Sequence, residues 1–351
     1  MDQTFHFHTY HTATRFHIAR ELKKRKWEKL EQPPALFSEQ NLSLNDEISQ
    51  HFEYKHLLTD LLQKYRVDFW PLTYTINDQN CSQVLSQMTL NHYMVDQVYQ
   101  SNISTLKWIL KPATLNNGDD IRLFNNVEEL KKHFKSSARV GGEQIIQQYI
   151  TNPALYQGRK FTYRVCSVFS NFAGVYLYKQ GYANISAYPF NAEDGFSNRK
   201  VHVTNYVLDG ELSHIEQKLA DSLPDFERIY LQMTAIVRRC AELLLKEFPS
   251  YLKPSIVKKI EFFGFDFIVD DVGKLWLLEI NQTPDCPIDS EHEFMESLWY
   301  PYWAHIVDDF VLPAVGHVPP KNGYSAFTPI IDKNDSYSKL KEWLSHLKLK
   351  N

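Results

Sequence analysis

The chain has 351 residues, enough for two or three domains and a substantial core, and its 43% hydrophobic and 14% aromatic content excludes disorder as the main state. Lys and Arg number 38 against 42 Asp and Glu, a net charge of -4, which argues against a protein built to grip a nucleic-acid backbone. The four cysteines, Cys81, Cys166, Cys240 and Cys286, lie far apart without a CxxC pair, which excludes a zinc ribbon and suits a reducing cytoplasm.

The N-terminal segment "MDQTFHFHTYHTATRFHIAR" lacks the apolar run of a secretion signal. No stretch reaches the roughly 18 apolar residues of a membrane span, so the expectation is a soluble cytoplasmic protein without a membrane span. "TFHFHTYH" alternates with period two and reads as a strand with Phe5 and Phe7 on one side and a polar outer face of His6 and His8. A metal site on these histidines is the sharper alternative, which base rates for such patterns disfavour. "RFHIARELKKRKWEKLE" reads as a helix whose cluster Lys23, Lys24, Arg25, Lys26 and Lys29 forms a solvated face. After Pro33 and Pro34, "EYKHLLTDLLQKY" reads as a second amphipathic helix with Leu57, Leu58, Leu61 and Leu62 on one side, and "FWPLTYTI" as a short strand. Residues 1–53 are expected to form a small α/β domain, with a linker near 50–54.

From "LKWILKPA" the pattern is strand, the loop "TLNNGDD", the strand "IRLF", the helix "VEELKKHFK" and the strand "EQIIQQYI", an α/β unit assigned to residues 54–150. Paired strands "KFTYRVCSVFS" and "AGVYLYKQGYANIS", the segment "KVHVTNYV", a long helix through "LQMTAIVRRCAELLLKEF" and a hairpin, "IEFFGFDFIVDDVGKLWLLEINQ", fill residues 151–316. Residues 317–351 hold a tail and a short helix with Leu340, Trp343, Leu344 and Leu347 on one face, read as a docking helix.

The hairpin carries the chemistry. Residues two apart on a strand point the same way, so Glu279 and Asn281 present two oxygen ligands side by side. Asp266 joins them if it pairs opposite Glu279, a register that makes Asp271 to Lys274 the turn. Two carboxylates and an amide oxygen suit Mg²⁺, which keeps its other positions for water and phosphate oxygens. Lys111, at the end of an apolar strand before a loop containing Gly118, is placed to reach a nucleotide phosphate. There is no GxxxxGK[ST] or strand-borne GxGxxG, which excludes a P-loop NTPase and a Rossmann dehydrogenase.

"WILKPATLNNGDDI", "IIQQYITNPALYQGRKFTYR", "VYLYKQG", "VHVTNY" and "FFGFDFIVDDVGKLWLLEINQTP" together resemble, in order, the motifs of the tubulin tyrosine ligase-like family, a branch of the ATP-grasp enzymes. The resemblance covers most of residues 107 to 287 and continues weakly through "EYKHLL". It implies an ATP-grasp fold, α/β (α+β), with a small α/β N-terminal domain. It also implies ATP and Mg²⁺ as cofactors, and activation of a protein or peptide carboxylate as an acyl phosphate that a free amino acid's amine attacks.

By this resemblance Asp266, Glu279 and Asn281 hold metal, and Lys111, Lys160 and Thr204 contact the nucleotide. Gln147, Gln148, Tyr149 and Ile150 form the adenine-side hinge. Arg164 lies near the transferring phosphate and acceptor, and Asn205 is an acceptor-side amide. The chain departs from the family where Asn117 replaces a basic residue, Asp120 a glycine, Thr162 a ribose-holding acid, Gln148 a lysine and Asn184 a second substrate-side arginine. The leading expectation is a ligase. A nucleotide-binding pseudoenzyme and an ATP-grasp ligase with a small-molecule acceptor are the alternatives, and the missing arginine at 184 implies weak recognition of an acidic tubulin tail.

Overall fold

The computed structural model describes residues 3–9, 12–90, 106–114, 120–136, 139, 141–191, 193, 196, 198–205, 207–208, 211–212, 215–283 and 286–332. Asn117 and Gly118 of the expected phosphate loop, and the expected helix around Leu340 to Leu347, lie outside the described residues. The mixed α/β class expected from the sequence is the one observed.

Near the N-terminus, β1 (Thr4–His6) is the middle strand of a parallel sheet, between β2 (Glu28–Lys29) and β3 (Phe37–Ser38). Phe5 and Phe7 are buried and His8 is exposed, as the alternation predicts. His6, expected on the outer face, is buried too, with Nδ1 3.0 Å from the Leu30 carbonyl oxygen. The helix expected to run on through Glu31 stops sooner: α1 spans Ala13–Lys24, capped by the Thr12 hydroxyl. Lys26 then adopts φ 64°, Trp27 enters the core, and Glu28 and Lys29 pair with β1. Burial of one large side chain thus overrides helix-favouring composition.

The solvated basic face also needs correction. Arg25 spans Asp308, through Nε at 2.7 Å and Nη2 at 2.8 Å, and Glu21, through Nη1 at 2.7 Å. It therefore ties α1 to the C-terminal helices. The linker expected near 50–54 is helical: α2 (Asp46–Glu53), capped by Asn45, is separated from α3 (Lys55–Lys64) by Tyr54 alone.

A second, antiparallel sheet has the order β4-β7-β5-β6, comprising β4 (Thr73–Ile76), β5 (Trp108–Pro112), β6 (Arg122–Phe124) and β7 (Gln144–Gln148). Helices α4 (Cys81–Leu90) and α5 (Val127–Lys135) bury Trp108, Leu110 and Ile146 on one face. Strand alternation turns Ile109, Lys111 and Gln147 to the other.

The largest sheet has the order β13-β10-β9-β14-β15, with β8 (Leu155–Tyr156) beside β9 and β16 (Phe327–Asp332) beside β10. Its main strands are β9 (Arg159–Ser170), β10 (Gly174–Ile185), β13 (Glu216–Leu219), β14 (Ile260–Val269) and β15 (Leu275–Gln282). A short helix α6 (Arg199–His202) and a ribbon of β11 (Val207–Leu208) with β12 (Glu211–Leu212) intervene. The sequence reading had no counterpart for β16.

One face packs Phe161, Tyr163, Val165, Phe265 and Phe267 against α7 (Phe226–Glu247). Part of the opposite face, at Cys166, Val168 and Phe262, is covered by α1 and by α8 (Tyr300–Ile306) with its wider flanking turns Met295–Trp299 and Val307–Val311. The remainder of that face, earlier on β9, bears Lys160, Thr162 and Arg164 and floors a cavity.

Candidate active site

The cavity, about 430 Å³, lies between the polar faces of the two sheets. Its floor reads across the large sheet as Gln217 on β13, Tyr182 and Asn184 on β10, Lys160, Thr162 and Arg164 on β9, Asp266 on β14, and Glu279 and Asn281 on β15. Ile109, Lys111 and the strand end Gln147, Gln148, Tyr149 and Ile150 face this floor from the second sheet. Thr204 and Asn205 close it after α6. Every residue given a metal, nucleotide or substrate role by the resemblance therefore lines one cavity, whereas Asp120 of the expected phosphate loop lines a separate one.

At the carboxylate end the Asp266–Glu279 pairing is the expected one, while the turn, expected at Asp271 to Lys274, begins one residue earlier, at Asp270. Asp266 pairs with Glu279, and a bulge at Leu278 follows, so that Phe267 pairs with Leu277. The turn is closed by Gly273 N–H to the Asp270 carbonyl at 3.0 Å, with Gly273 at φ 82°, a conformation that favours glycine. Asp266 accepts from Arg164 Nε at 2.7 Å, from Arg164 Nη2 through its other oxygen, and from Asn281 Nδ2 at 2.9 Å. The Arg164 contact is a fork pairing across neighbouring strands. Asn281 Nδ2 also lies 3.3 Å from Glu279 Oε1, and the Lys55 ammonium lies 3.5 Å from Glu279 Oε2.

Burial alone would raise Glu279, but Lys55, Lys111 and Arg164 hold it below the usual carboxylate range. Burial raises Asp266 against the pull of Arg164. The same burial works against the Arg164 charge, and Asp266, Tyr182 and Glu279 together outweigh it.

At the other end Lys111 donates to Gln147 Oε1 at 2.9 Å, and Gln147 donates onward to Thr73 Oγ1 at 3.2 Å. Lys160 donates to the His202 carbonyl at 2.6 Å and to the Tyr149 hydroxyl at 3.1 Å. Burial lowers Lys111 to about 8, Glu279 opposing and Lys55 assisting. Burial, and then the charge of Lys111, lowers Lys160 to about 7. The Thr162 and Thr204 hydroxyls lie 2.9 Å apart, and Asn184 Oδ1 accepts from Gln217 Nε2 at 2.8 Å. Asp120, the extra carboxylate near the phosphate loop, has a cation at hand: Arg122 Nη2 is 3.2 Å from its Oδ1.

The donor set fits a magnesium nucleotide. Two carboxylates and one amide, all sources of hard oxygen ligands, meet on adjacent strands, with buried lysines beside them for phosphate. Asn281 turns its NH2 to the acids here, and rotating the amide by half a turn presents Oδ1 instead.

Sequence reasoning missed Lys55, Tyr182, Gln217 and Trp299. Lys55 sits at the first position of α3, where a lysine reads as a surface charge, yet it is 5% exposed and its partner is far along the chain. Tyr182 and Trp299, whose rings lie 5.8 Å apart, read as ordinary core aromatics. Gln217 follows a strand pattern too short to register.

The sequence model of the tubulin-tyrosine ligase family matches residues 20–314. Tubulin glycylase 3C of Tetrahymena thermophila is 28% identical over 197 residues, covering 50% of this chain and 18% of the glycylase. A probable tubulin polyglutamylase of Caenorhabditis elegans is 25% identical over 231 residues, covering 62% of this chain and 54% of its own length. One from Mus musculus is 26% identical over 322 residues, covering 83% of this chain and 54% of its own. The chain thus spans about half the length of these polyglutamylases and a smaller share of the glycylase.

Proposed function

Because the chain belongs to the tubulin-tyrosine ligase family, we propose that it is a ligase that uses ATP and Mg²⁺ to join a free amino acid to a carboxylate of a protein or peptide. The observation that carries this reading is the convergence of Asp266, Glu279 and Asn281 with Lys111, Lys160 and Arg164 on one cavity. Asp266, Glu279 and Asn281 would hold the metal, and Lys111 and Lys160 the phosphates. Bound magnesium offsets triphosphate charge as the terminal phosphoryl group passes to the acceptor carboxylate.

The chain's own groups do the rest. Lys111 and Lys160, already desolvated, face developing negative charge without first shedding water. Arg164 is a fixed cation beside the metal residues, set to orient a carboxylate. Val203, Ile109 and Ile121 give the nucleotide side apolar walls that exclude water from an activated acyl group. The amine nitrogen would then bond to the acyl carbon as the bond from that carbon to the phosphate oxygen breaks, releasing inorganic phosphate and the proton that the amine loses.

A nucleotide-binding protein without turnover is the second reading, favoured by the Thr162–Thr204 pair where the resemblance implies an acid. Labelled amino acids supplied with ATP to a cell lysate separate the two. ATP-dependent incorporation into protein supports the ligase, whereas nucleotide binding without incorporation leaves the second reading.

Magnesium alone is expected to stabilise the protein little, because Asp266 and Glu279 already accept from Arg164, Asn281 and Lys55 and a bare ion must displace those donors. Magnesium with ATP at a hundredfold excess over its dissociation constant should add about 2.7 kcal/mol, a Tm rise of a few degrees. Equal stabilisation by the metal alone in a thermal melt would contradict this.

Nucleotide affinity should also depend on pH. Lys160 at about 7 and Lys111 at about 8 are progressively neutral as pH rises, and phosphate favours their charged forms. Affinity should therefore fall from pH ~7 to ~9, with proton uptake on binding measurable by calorimetry in buffers of different ionisation enthalpy. A flat profile with no uptake would remove both lysines from the phosphate contact.

A further inference from the structure

His202, the last residue of α6, meets both the Lys160 ammonium and the hydroxyl that Lys160 bonds. Its carbonyl oxygen accepts from Lys160 Nζ at 2.6 Å, and its ring Nδ1 lies 2.9 Å from the Tyr149 hydroxyl, which itself lies 3.1 Å from Lys160 Nζ. An ammonium has only protons to give, so toward a charged Lys160 the Tyr149 oxygen must accept. The phenol proton is then available to His202 Nδ1, which takes it only in the neutral tautomer that carries its own proton on Nε2. The ring is held in place for this. It is 2% exposed and meets Phe196 edge-on at 4.8 Å and 85°, Phe190 at 5.7 Å and 75°, and the Tyr149 ring at 5.7 Å and 72°. Lys160 and Tyr149 are buried as well.

We propose that His202 is a positioning residue for nucleotide binding: by taking the Tyr149 hydroxyl proton on Nδ1 it keeps the Tyr149 oxygen turned as an acceptor to Lys160, which holds Lys160 charged and aimed at phosphate. The proposal rests on the nucleotide site of the ligase reading above and adds a residue that acts there through two others. In a buried chain each hydrogen bond polarises the next, so an O–H drawn toward His202 leaves a more negative oxygen for the ammonium. Without that acceptor the hydroxyl can turn its proton toward Nζ, an arrangement that only the neutral amine accepts. Burial already lowers Lys160 to about 7, so a further loss of support changes its charge within the ordinary pH range. Among the described residues, the ionisable groups that face it are Lys111 of β5, which opposes its charge, Tyr149 after β7 and His202 of α6.

The experiment measures by calorimetry the affinity of the full chain for magnesium with a non-hydrolysable ATP analogue, from pH ~6 to ~9, in the wild type, His202→Leu and His202→Asn. Leucine fills much of the ring's space and accepts nothing, whereas asparagine fills less but keeps an acceptor where Nδ1 stands. His202→Leu should bring on the fall of affinity about one pH unit lower, which is about tenfold weaker binding at pH ~8, with the two proteins approaching each other toward pH ~6. His202→Asn should stay within about threefold of wild type with its profile in place. A role in packing alone gives the reverse order, since asparagine leaves the larger void beside Phe190 and Phe196. In a Lys160→Met background, His202→Leu should cost less than about twofold more. Tyr149→Phe, which removes only the hydroxyl, is the second variant should His202→Leu not fold, and it should shift the profile the same way. Nitrogen-15 NMR of histidine-labelled protein, with the His202 signals assigned by their loss in His202→Asn, should show Nδ1 bare and the proton on Nε2. An Nδ1-protonated ring, or equal affinity and pH profile in wild type and His202→Leu, overturns this inference and leaves the nucleotide site standing. Failure of the wild type to bind the analogue overturns both.

Discussion

Glu279→Gln is expected to lower amino acid incorporation by on the order of 10³-fold while weakening ATP binding by less than about tenfold. Glutamine keeps the shape and one acceptor oxygen, for Lys55 or for Asn281. The NH2 that replaces the other oxygen costs that second contact without emptying the space, so the fold around β15 should persist. It removes one of the two negative charges that would hold the metal, and that charge matters most while negative charge is redistributing on the phosphoryl group. Lys55 and Lys111 would also lose the carboxylate that balances them. Single-turnover rates alongside calorimetric ATP affinities check this. If both fell by the same factor, Glu279 would be contributing uniform binding and would not be a group that acts chiefly in the transition state.

The largest expected effect on stability belongs to Trp303→Ala, about 3–5 kcal/mol. Trp303 is 2% exposed and joins three elements: it stacks on His17 of α1 at 5.5 Å and 10°, meets Phe262 of β14 edge-on at 5.7 Å, and meets Tyr302 at 5.0 Å. His17 in turn makes a 2.8 Å hydrogen bond to the Pro287 carbonyl, beside the cavity wall, and burial lowers its ring to about 4, so it is neutral near pH 7. Truncation would open a void between α1, α8 and the sheet, with nothing adjacent able to fill it. Leu231→Ala, at a side chain 70% exposed, is the comparison and should stay within about 0.5 kcal/mol. Urea unfolding of both variants is the measurement, and similar midpoints would mean that the aromatic cluster is not an important support.

What could be read from the sequence was what depends on neighbours along the chain. The hairpin was legible because alternation over Ile260–Val269 and Leu275–Gln282, interrupted by an Asp and Gly turn, fixes which residues share a face. Lys111 was legible for the same reason, since Trp108 and Leu110 point into one core and leave it on the opposite side. Partners distant in sequence were not legible. Lys55 meets Glu279 and Arg25 meets Asp308 only once the chain has folded back, and each lysine or arginine reads locally as a surface charge. The early end of α1 depends on where Trp27 is buried, and β16 depends on finding the edge of β10, neither of which has a local signature.

The two-residue alternation of β9 also bears on how such a protein can change over evolutionary time. Lys160, Thr162 and Arg164 line the cavity, while Phe161, Tyr163 and Val165 pack on the opposite side of the same strand. Point substitutions can therefore rewrite the chemistry one position at a time and leave the packing alone. A single codon inserted or deleted ahead of Lys160 would exchange the two sets, putting a lysine and an arginine against α7 and rings into the cavity. Lineages descended from such a sequence should tolerate length changes in the segments between strands, while length changes within β9, β10 and β14 should be purged.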